Sequence, residues 1–374
     1  MLLRPLARRA FHRSVGIVGM PNVGKSTLFN ALTKTGQAQA ANYPFCTIDP
    51  NVSRVSVPDP RVHTLAKMEN SQKVIETQLE FVDIAGLVRG ASKGEGLGNK
   101  FLDNIRQVAV IAHVVRCFED VNILHVEESV DPLRDLDTIR TELLLADLQT
   151  VEKRLQTVGK KKAASDAHLI KVLKHILPIL EDGRMLHDVV FDHPEERIQF
   201  ERLQLLTPKK ALFLCNVSEE DAATGNAMTE AVRQQVEAEG SVCLVVSGAL
   251  EEAASQFEDE AGQMEYLECS GLSETGLTQV IRACHELLQL QSYYTVGVQE
   301  ARAWTIPKGT LAPAAAGVIH SDFERLFIRA ETISFDKLVE AGSMKQARDK
   351  GWIRTEGKDY VCQDGDVFHF LVGK

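Results

Sequence analysis

The feature that most constrains how this chain can fold is residues 19–27, Gly-Met-Pro-Asn-Val-Gly-Lys-Ser-Thr, which satisfy the pattern G-x-x-x-x-G-K-[ST]. The preceding run at residues 15–18 is short, apolar and β-branched, which predicts a buried strand entering a loop. A helix is predicted from Lys25 to about Thr33. Glycines let main-chain amides surround phosphate oxygens, and a helix amino terminus adds a favourable dipole. Strand, loop and helix in this order predict a phosphate-binding loop.

The side chains of this loop have defined roles in a P-loop nucleoside triphosphatase. Lys25 is expected to bridge the terminal phosphates, and the Ser26 hydroxyl is expected to ligate magnesium. A chance match in a glycine-rich turn is the alternative, and the motifs further along the chain argue against it. The other nucleotide contacts predicted in the loop are Asn22, Val23, Gly24 and Thr27.

A second motif follows at residues 81–86, Phe-Val-Asp-Ile-Ala-Gly, where an apolar strand ends in aspartate. This D-x-x-G pattern predicts that Asp83 holds magnesium through a water and that the Gly86 amide contacts the γ-phosphate. Thr47 lies between the two motifs and is the predicted switch residue, because its hydroxyl could also ligate magnesium when the γ-phosphate is present. The predicted catalytic residues are therefore Lys25, Thr47 and Gly86.

The segment expected to contact the base is residues 216–219, Asn-Val-Ser-Glu, after a predicted strand. A guanine-specific GTPase carries Asn-Lys-x-Asp there, and its short aspartate accepts both hydrogens of the guanine N1 and N2 edge. Glu219 is longer and does not reproduce that geometry, so adenine becomes plausible. Asn216 and the main chain around Val217 are the predicted base contacts, with Ser247, Gly248 and Ala249 closing the pocket.

The apolar pattern along the chain predicts an α/β fold. Strands are predicted at residues 15–18, 79–82, 110–117, 211–215 and 243–246, with helical stretches between them. Alternating strands and helices predict a mostly parallel sheet that binds ligands at the carboxyl ends of its strands. His113 and Arg116, near one strand end, are expected to be packed or solvent-facing rather than functional.

Two further regions depart from this alternation. Leucine, isoleucine and valine recur at three- and four-residue intervals between the third and fourth strands, which predicts an inserted α-helical hairpin. Short β-like runs broken by proline and glycine near the end predict a small α+β domain. The predicted boundaries are 1–13 for a basic extension, 14–131 and 207–290 for the nucleotide-binding domain, 132–206 for the hairpin and 291–374 for the last domain.

Composition excludes several classes of protein. A net charge of −10 argues against coating nucleic acid, so sequence-specific DNA binding is not expected and any RNA contact must be local. No apolar run approaches the roughly 18 residues of a membrane-spanning helix, so membrane insertion is not expected. The seven cysteines include no C-x-x-C pair and are interpreted as structural thiols.

These motifs resemble the Obg-like ATPase family, also called YchF-type, among the Obg-related P-loop GTPases of the translation-factor class. The resemblance covers nearly the whole chain, including residues 42–51 and 83–92 and the Asn-Val-Ser-Glu segment. Residues 302–323, with Arg-Ala-Trp-Thr-Ile and Gly-Val-Ile-His-Ser-Asp-Phe, and residues 364–366 resemble the ubiquitin-like TGS domain that ends family members.

The resemblance carries its own implications for function. It implies hydrolysis of ATP in preference to GTP, an inserted hairpin, and association with ribosomes or translation factors, and a monomer is expected. A K⁺ ion bound through Asn22 is implied by potassium-dependent relatives, and the alternative is that Asn22 only shapes the loop. Leu87 occupies the position where Ras-like enzymes place a water-orienting glutamine, so slow hydrolysis is predicted. A nucleotide-gated binding module with negligible turnover and a GTP-specific GTPase remain alternatives.

The first 13 residues favour a mitochondrial location. They carry Arg4, Arg8, Arg9 and Arg13 among apolar residues, and the first acidic residue is Asp49. This composition resembles a short mitochondrial presequence. A disordered basic tail on a cytoplasmic protein is the alternative.

Overall fold

The computed structural model describes residues 14–40, 51–86, 97–161, 167–257 and 259–373. The chain divides into two compact units, one built from residues 14–55 and 80–280 and the other from residues 56–79 and 281–373. Residues 1–13, Thr47 and Leu87 lie outside the described residues. The N-terminal extension, its bearing on localisation, the switch role of Thr47 and the effect of Leu87 therefore stay predictions.

The elements of the fold are numbered along the chain. The strands are β1 (Ser14–Val18), β2 (Val52–Ser56), β3 (Lys73–Ile75), β4 (Gln78–Asp83), β5 (Val110–Arg116), β6 (Ala211–Asn216), β7 (Val242–Val246), β8 (Leu290–Val296), β9 (Glu300–Pro307), β10 (Phe327–Ser334), β11 (Arg354–Glu356) and β12 (Asp366–Val372).

Helices connect these strands. They are α1 (Lys25–Ala40), α2 (Pro60–Glu69), α3 (Leu97–Gln107), α4 (Pro132–Lys161), α5 (Ala167–Glu181), α6 (Pro194–Arg202), α7 (Ala227–Ala238), α8 (Gly248–Ala254), α9 (Glu260–Cys269), α10 (Gly276–Leu287), α11 (Ala312–Ile319), α12 (Ser321–Arg325), α13 (Phe335–Ala341) and α14 (Met344–Asp349).

The first unit is organised around a six-stranded sheet in the order β2-β4-β1-β5-β6-β7. Strand β1 pairs in parallel with β4 and β5, and β5-β6 and β6-β7 are also parallel. Every residue of β1 and β5 is buried, which is typical of strands covered on both faces. The predicted α/β fold with a mostly parallel sheet is confirmed, and the loops after β1, β5, β6 and β7 meet at one edge.

The helical insert packs around its own apolar cluster. Leu148, Val151 and Leu155 of α4 lie against Val172 and Ile176 of α5, as the periodicity predicts. The insert also contains a third helix, α6, which was not predicted as a separate helix within the hairpin. Helix α6 starts at a proline with Glu195 and Glu196 in its first turn, where negative charge is favourable.

The beginning of α4 belongs to a different core. Leu136 is buried with Val115 of β5 and Val217 after β6, and Leu133 packs against the same cluster. Helix α4 begins at the predicted boundary, Pro132, but its first turns do not pack in the hairpin core. Those turns cover the sheet, and the hairpin core begins further along the same helix.

The second unit is a mixed α+β fold with the strand order β11-β10-β12-β8-β9-β3. Strands β8 and β12 are parallel, whereas β8-β9 and β10-β12 are antiparallel. Residues 56–79 belong to this unit, which corrects their predicted place in the nucleotide-binding domain. The reason is pairing: β3 joins the edge of the second sheet beside β9.

The contacts of α2 reinforce this assignment. Val62 and Leu65 are buried with Tyr294 in one apolar cluster. Arg61 bridges Asp59 and Asp364, at 2.9 and 2.7 Å. Sequence periodicity gave no sign of Tyr294 or Asp364 as partners because both are more than 200 residues away in the chain.

No helix in the described part of the chain is both long and apolar enough to cross a membrane.

Candidate functional site

The loop that follows β1 has the main-chain geometry expected of a phosphate-binding loop. A Cβ added at Gly19 would lie 2.5 Å from the Val114 carbonyl oxygen, so only glycine fits beside β5. Gly24 has a φ of 96°, and a Cβ there would collide with the Asn216 side-chain amide. These two glycines hold the loop tightly against the sheet, and α1 starts immediately after it.

Lys25 is held by the loop itself. Its ammonium nitrogen donates a 2.7 Å hydrogen bond to the Met20 carbonyl, and the residue is only 8% exposed. Burial lowers the pKa of Lys25 to about 8, and the negative charge of Asp83 opposes that shift. Gly86 lies beside the same ammonium, since a Cβ built on Gly86 would be 3.1 Å from Lys25 Nζ. The structure thus brings Lys25, Asp83 and Gly86 together.

The side chains predicted to hold magnesium fit a hard cation. Asp83 Oδ1 is buried and has no hydrogen-bond partner among the residues that the structure describes, so it offers a free acceptor to a ligand. Burial raises the pKa of Asp83, and the nearby Lys25 opposes this. Ser26 is exposed and lines the cavity described below. Carboxylate and hydroxyl oxygens are the ligands that magnesium prefers. Thr47, the third predicted ligand, is outside the described residues.

A cavity of about 600 Å³ opens in front of this loop, a size suited to a nucleotide. Four segments line it, following β1, β5, β6 and β7. The lining residues are Asn22, Gly24, Lys25, Ser26, Thr27, Phe118, Glu119, Asp120, Ile123, Asn216, Val217, Ser218, Glu219, Gly248, Ala249 and Glu252.

Asn216 links the phosphate-binding loop to the segment after β7. Its Nδ2 donates to the Val23 carbonyl at 2.9 Å, and its Oδ1 accepts from the Gly248 amide at 2.8 Å. The side-chain amide carries a second N–H, which can still meet a base. Val23 itself is buried and contributes its carbonyl to this link. Asn216 therefore has a structural role that its position in the motif did not reveal.

The other predicted base contacts differ in their exposure and in whether they line the cavity. Glu219 is exposed and lines the cavity with Ala249. Val217 also lines the cavity, but it is 3% exposed and packs in the apolar core. Ser247 is buried, and its hydroxyl accepts from the Leu250 amide at the start of α8. The Ser247 hydroxyl therefore caps α8 by accepting from a free amide of its first turn, and its contact with a bound base stays a prediction.

Asn22 makes a contact that favours loop shaping. The residue has a φ of 60°, and its Nδ2 donates to the Leu124 carbonyl at 3.1 Å. Asparagine tolerates this left-handed conformation better than most residues. Asn22 thereby ties the phosphate-binding loop to the loop after β5.

The segment after β5 was not predicted to contribute to the site. Phe118, Glu119, Asp120 and Ile123 all line the cavity. The available signal was positional, because the carboxyl end of any strand in a parallel sheet is a candidate binding edge. His113, which lies in β5, is fully packed, and its burial lowers the pKa to about 3. It is therefore a neutral core residue, as expected.

Comparison with known protein families gives two matches. Residues 14–169 match a family described as a 50S ribosome-binding GTPase. Residues 290–373 match the family YchF-GTPase_C, described as a protein of unknown function.

Curated relatives match over nearly their full length. The protein called ribosome-binding ATPase YchF from Haemophilus ducreyi is 50% identical over 358 residues, covering 95% of this chain and 98% of that protein. The protein of the same name from Bacillus subtilis is 49% identical over 362 residues, covering 96% and 98%.

Solved structures agree with the fold. The YchF GTPase of Schizosaccharomyces pombe superimposes with a TM-score of 0.88 at 36% identity, covering 97% of this chain and 99% of that one. A GTP-binding protein from Pyrococcus horikoshii, at 19% identity and a TM-score of 0.60, supports the fold alone.

Proposed function

Because the chain belongs to the YchF family of P-loop nucleoside triphosphatases, we propose that it hydrolyses ATP in preference to GTP, with magnesium, as a conformational switch acting on translation. The observation that carries the proposal is the cavity of about 600 Å³ in which the phosphate-binding loop and the Asn216–Glu219 segment face each other. One end offers Lys25 and Ser26 to phosphates, and the other offers a base-binding segment.

The residues of the phosphate end divide the chemistry between them. Lys25 would neutralise charge on the terminal phosphates, and the Gly86 amide would contact the γ-phosphate. Ser26 and, through a water, Asp83 would hold magnesium, which when bound neutralises charge on the phosphate oxygens. Lys25 is held by the Met20 carbonyl at 2.7 Å, so its ammonium is positioned before nucleotide arrives. Catalysis here is positioning and charge neutralisation.

Preference for ATP is proposed from the base end. Glu219 replaces the aspartate that accepts two hydrogens from guanine, and Val217 replaces the lysine of the guanine motif. The N–H group of Asn216 that remains after its bond to Val23 can meet a purine nitrogen. These features remove the contacts that favour guanine without preventing adenine from binding.

The partner is proposed from the relatives. Proteins 49–50% identical to this chain are named ribosome-binding ATPases. We therefore infer that this chain binds the ribosome, with nucleotide state controlling affinity. Its net charge of −10 favours local contacts over a broad electrostatic attraction to RNA. Leu87 supports a second candidate, a nucleotide-gated ribosome-binding module with negligible turnover, because leucine cannot orient water.

A titration with ATP and GTP tests this function. Dissociation constants and turnover are measured with magnesium, with EDTA, and with potassium or sodium as the monovalent cation. We expect tighter binding of ATP than of GTP, slow magnesium-dependent turnover, and faster turnover in potassium if Asn22 contributes to a cation site. Binding without turnover would favour the binding module, and preference for GTP would contradict the proposed base selection.

The base end can be tested by Glu219→Asp. We expect the ratio of the ATP and GTP dissociation constants to move toward GTP by about tenfold, because aspartate restores the short carboxylate that guanine requires. Val217 is left unchanged, since a lysine there would enter the apolar core around Val232.

Glu220→Asp is the matched control, because Glu220 is exposed and does not line the cavity. An unchanged ratio in Glu219→Asp would show that this carboxylate does not select the base.

A further inference from the structure

The last residue of β5, Arg116, is buried to an unusual degree for an arginine, with 1% of its surface exposed. Its guanidinium donates three hydrogen bonds, to the carbonyl oxygens of Phe118 at 3.1 Å, Asp120 at 3.3 Å and Ile123 at 3.0 Å. Among the described residues, no carboxylate lies within ion-pair distance of it. Arg116 is therefore bonded to the main chain of a single loop.

That loop is residues 118–124, called here the β5 loop. The Arg116 guanidinium also lies over the Phe118 ring, 4.7 Å from its centroid. Within the loop, the Asp120 carboxylate accepts from the Asn122 amide at 2.8 Å, which forms a turn. The Ile123 amide also donates to the Asp120 carbonyl at 3.2 Å, whereas the Phe118 and Ile123 carbonyls accept from the Arg116 guanidinium.

The phosphate-binding loop holds the other end of the β5 loop. Asn22 Nδ2 donates to the Leu124 carbonyl, as described above. The side chain of Leu124 is 80% exposed, so packing does not anchor this end. The β5 loop is thus fixed by polar contacts from Arg116 and Asn22 rather than by an apolar core.

The β5 loop forms one wall of the nucleotide cavity. Its residues Phe118, Glu119, Asp120 and Ile123 face the cavity, whereas Arg116 is not among the lining residues. In the sheet, β5 lies between β1, which leads to the phosphate-binding loop, and β6, which leads to the base segment. The lining residues of the β5 loop include an aromatic ring, Phe118, and two acidic residues, Glu119 and Asp120, which repel phosphate groups, so this wall suits the nucleoside rather than the phosphates.

We propose that Arg116 is a positioning residue that sets nucleotide affinity by holding the β5 loop as the nucleoside-facing wall, without touching the nucleotide. This rests on the proposed function, because it requires a nucleotide in this cavity. Burying a guanidinium is unfavourable unless its donors are used. Here the guanidinium donates to three carbonyl oxygens of the β5 loop, and of these the Asp120 carbonyl also accepts from the Ile123 amide at 3.2 Å.

The test compares Arg116→Met and Arg116→Lys with the unchanged full-length protein. Methionine keeps an unbranched apolar stem and removes all donors, and lysine keeps the charge with a single ammonium group. We expect KM for ATP to rise by about tenfold in Arg116→Met and by less in Arg116→Lys, with kcat within about twofold, because a displaced wall weakens nucleoside contacts. The inhibition constant of inorganic tripolyphosphate, which has no nucleoside, should stay unchanged in both variants.

Arg140→Met is the matched control, because Arg140 pairs with Glu239 and does not line the nucleotide cavity. A fall in kcat with unchanged KM, an equal loss of tripolyphosphate and ATP affinity, or no change in any constant would each overturn the proposal. If Arg116→Met does not fold, the KM for ATP and the tripolyphosphate inhibition constant of Arg116→Lys decide whether the proposal holds. Failure of the unchanged protein to bind ATP would instead reject the proposed function, so the two failures are distinguishable.

Discussion

Replacing Lys25 with alanine is expected to lower ATP turnover by about 100-fold or more, the range seen when one preorganised charge-stabilising donor is removed. Lys25 is the cation that the phosphate-binding loop holds at the cavity, with its Nζ 2.7 Å from the Met20 carbonyl. Burial lowers the pKa of Lys25 to about 8, so bringing the phosphate charges close is expected to favour the protonated form that neutralises them. Single-turnover hydrolysis and the ATP dissociation constant measure the effect.

Lys34→Ala is the matched control, because Lys34 lies on the same helix α1 and is exposed. It should leave turnover and affinity unchanged. A thermal melt establishes that Lys25→Ala is folded, which is expected because a buried ammonium is not needed by the core. Equal turnover in Lys25→Ala and the unchanged protein would mean that hydrolysis occurs elsewhere or belongs to a contaminant.

Replacing Asp147 with alanine is expected to lower the free energy of unfolding by about 3–5 kcal/mol. Asp147 of α4 is fully buried and accepts hydrogen bonds from the Leu206 amide, at 3.0 and 2.9 Å, and from Thr207. Thr207 contributes both its amide, at 2.8 Å, and its hydroxyl, at 2.7 Å. Alanine would leave these donors buried without an acceptor. Urea unfolding followed by circular dichroism measures the loss.

The affected contact joins the helical insert to the chain segment that returns to β6. Lys209, two residues further on, donates to the carbonyls of Arg106 and Val108 at the end of α3. Loss of Asp147 should therefore increase amide exchange around residues 206–209 as well as lowering stability. Glu152→Ala on the exposed face of α4 is the control and should change stability by less than about 0.5 kcal/mol. Similar stability of the two variants would show that the Asp147 contacts contribute little.

The local sequence was sufficient to predict those features whose function depends on consecutive residues. The phosphate-binding loop needs glycines at fixed positions, a lysine and a hydroxyl, all within nine residues, and the structure has β1 and α1 on either side of it. The main strands of the first sheet were also predictable, because strands buried on both faces are apolar throughout. The α/β fold and the P-loop class followed from these features.

Features that depend on residues far apart in the chain could not be predicted from the sequence as well. The sequence predicted that residues 56–79 belong to the nucleotide-binding domain. In the structure, β3 instead pairs with β9, which is more than 200 residues away in the chain. Ser247 was predicted from its position to contact the base, and only the structure showed that its hydroxyl also caps α8. In both cases a hydrogen-bond partner decided the role, and the sequence does not state which partner is near.

The sequence by itself determined the phosphate-binding chemistry, the parallel sheet and the departure from the guanine motif, because spacing within a short segment fixes which groups meet. Only the tertiary structure decided that Asn216 links Val23 to Gly248, and that Arg116 holds a loop lining the cavity. These roles depend on bringing separate strand ends to one edge of the sheet. That convergence follows from packing and strand order, which local residue patterns do not encode.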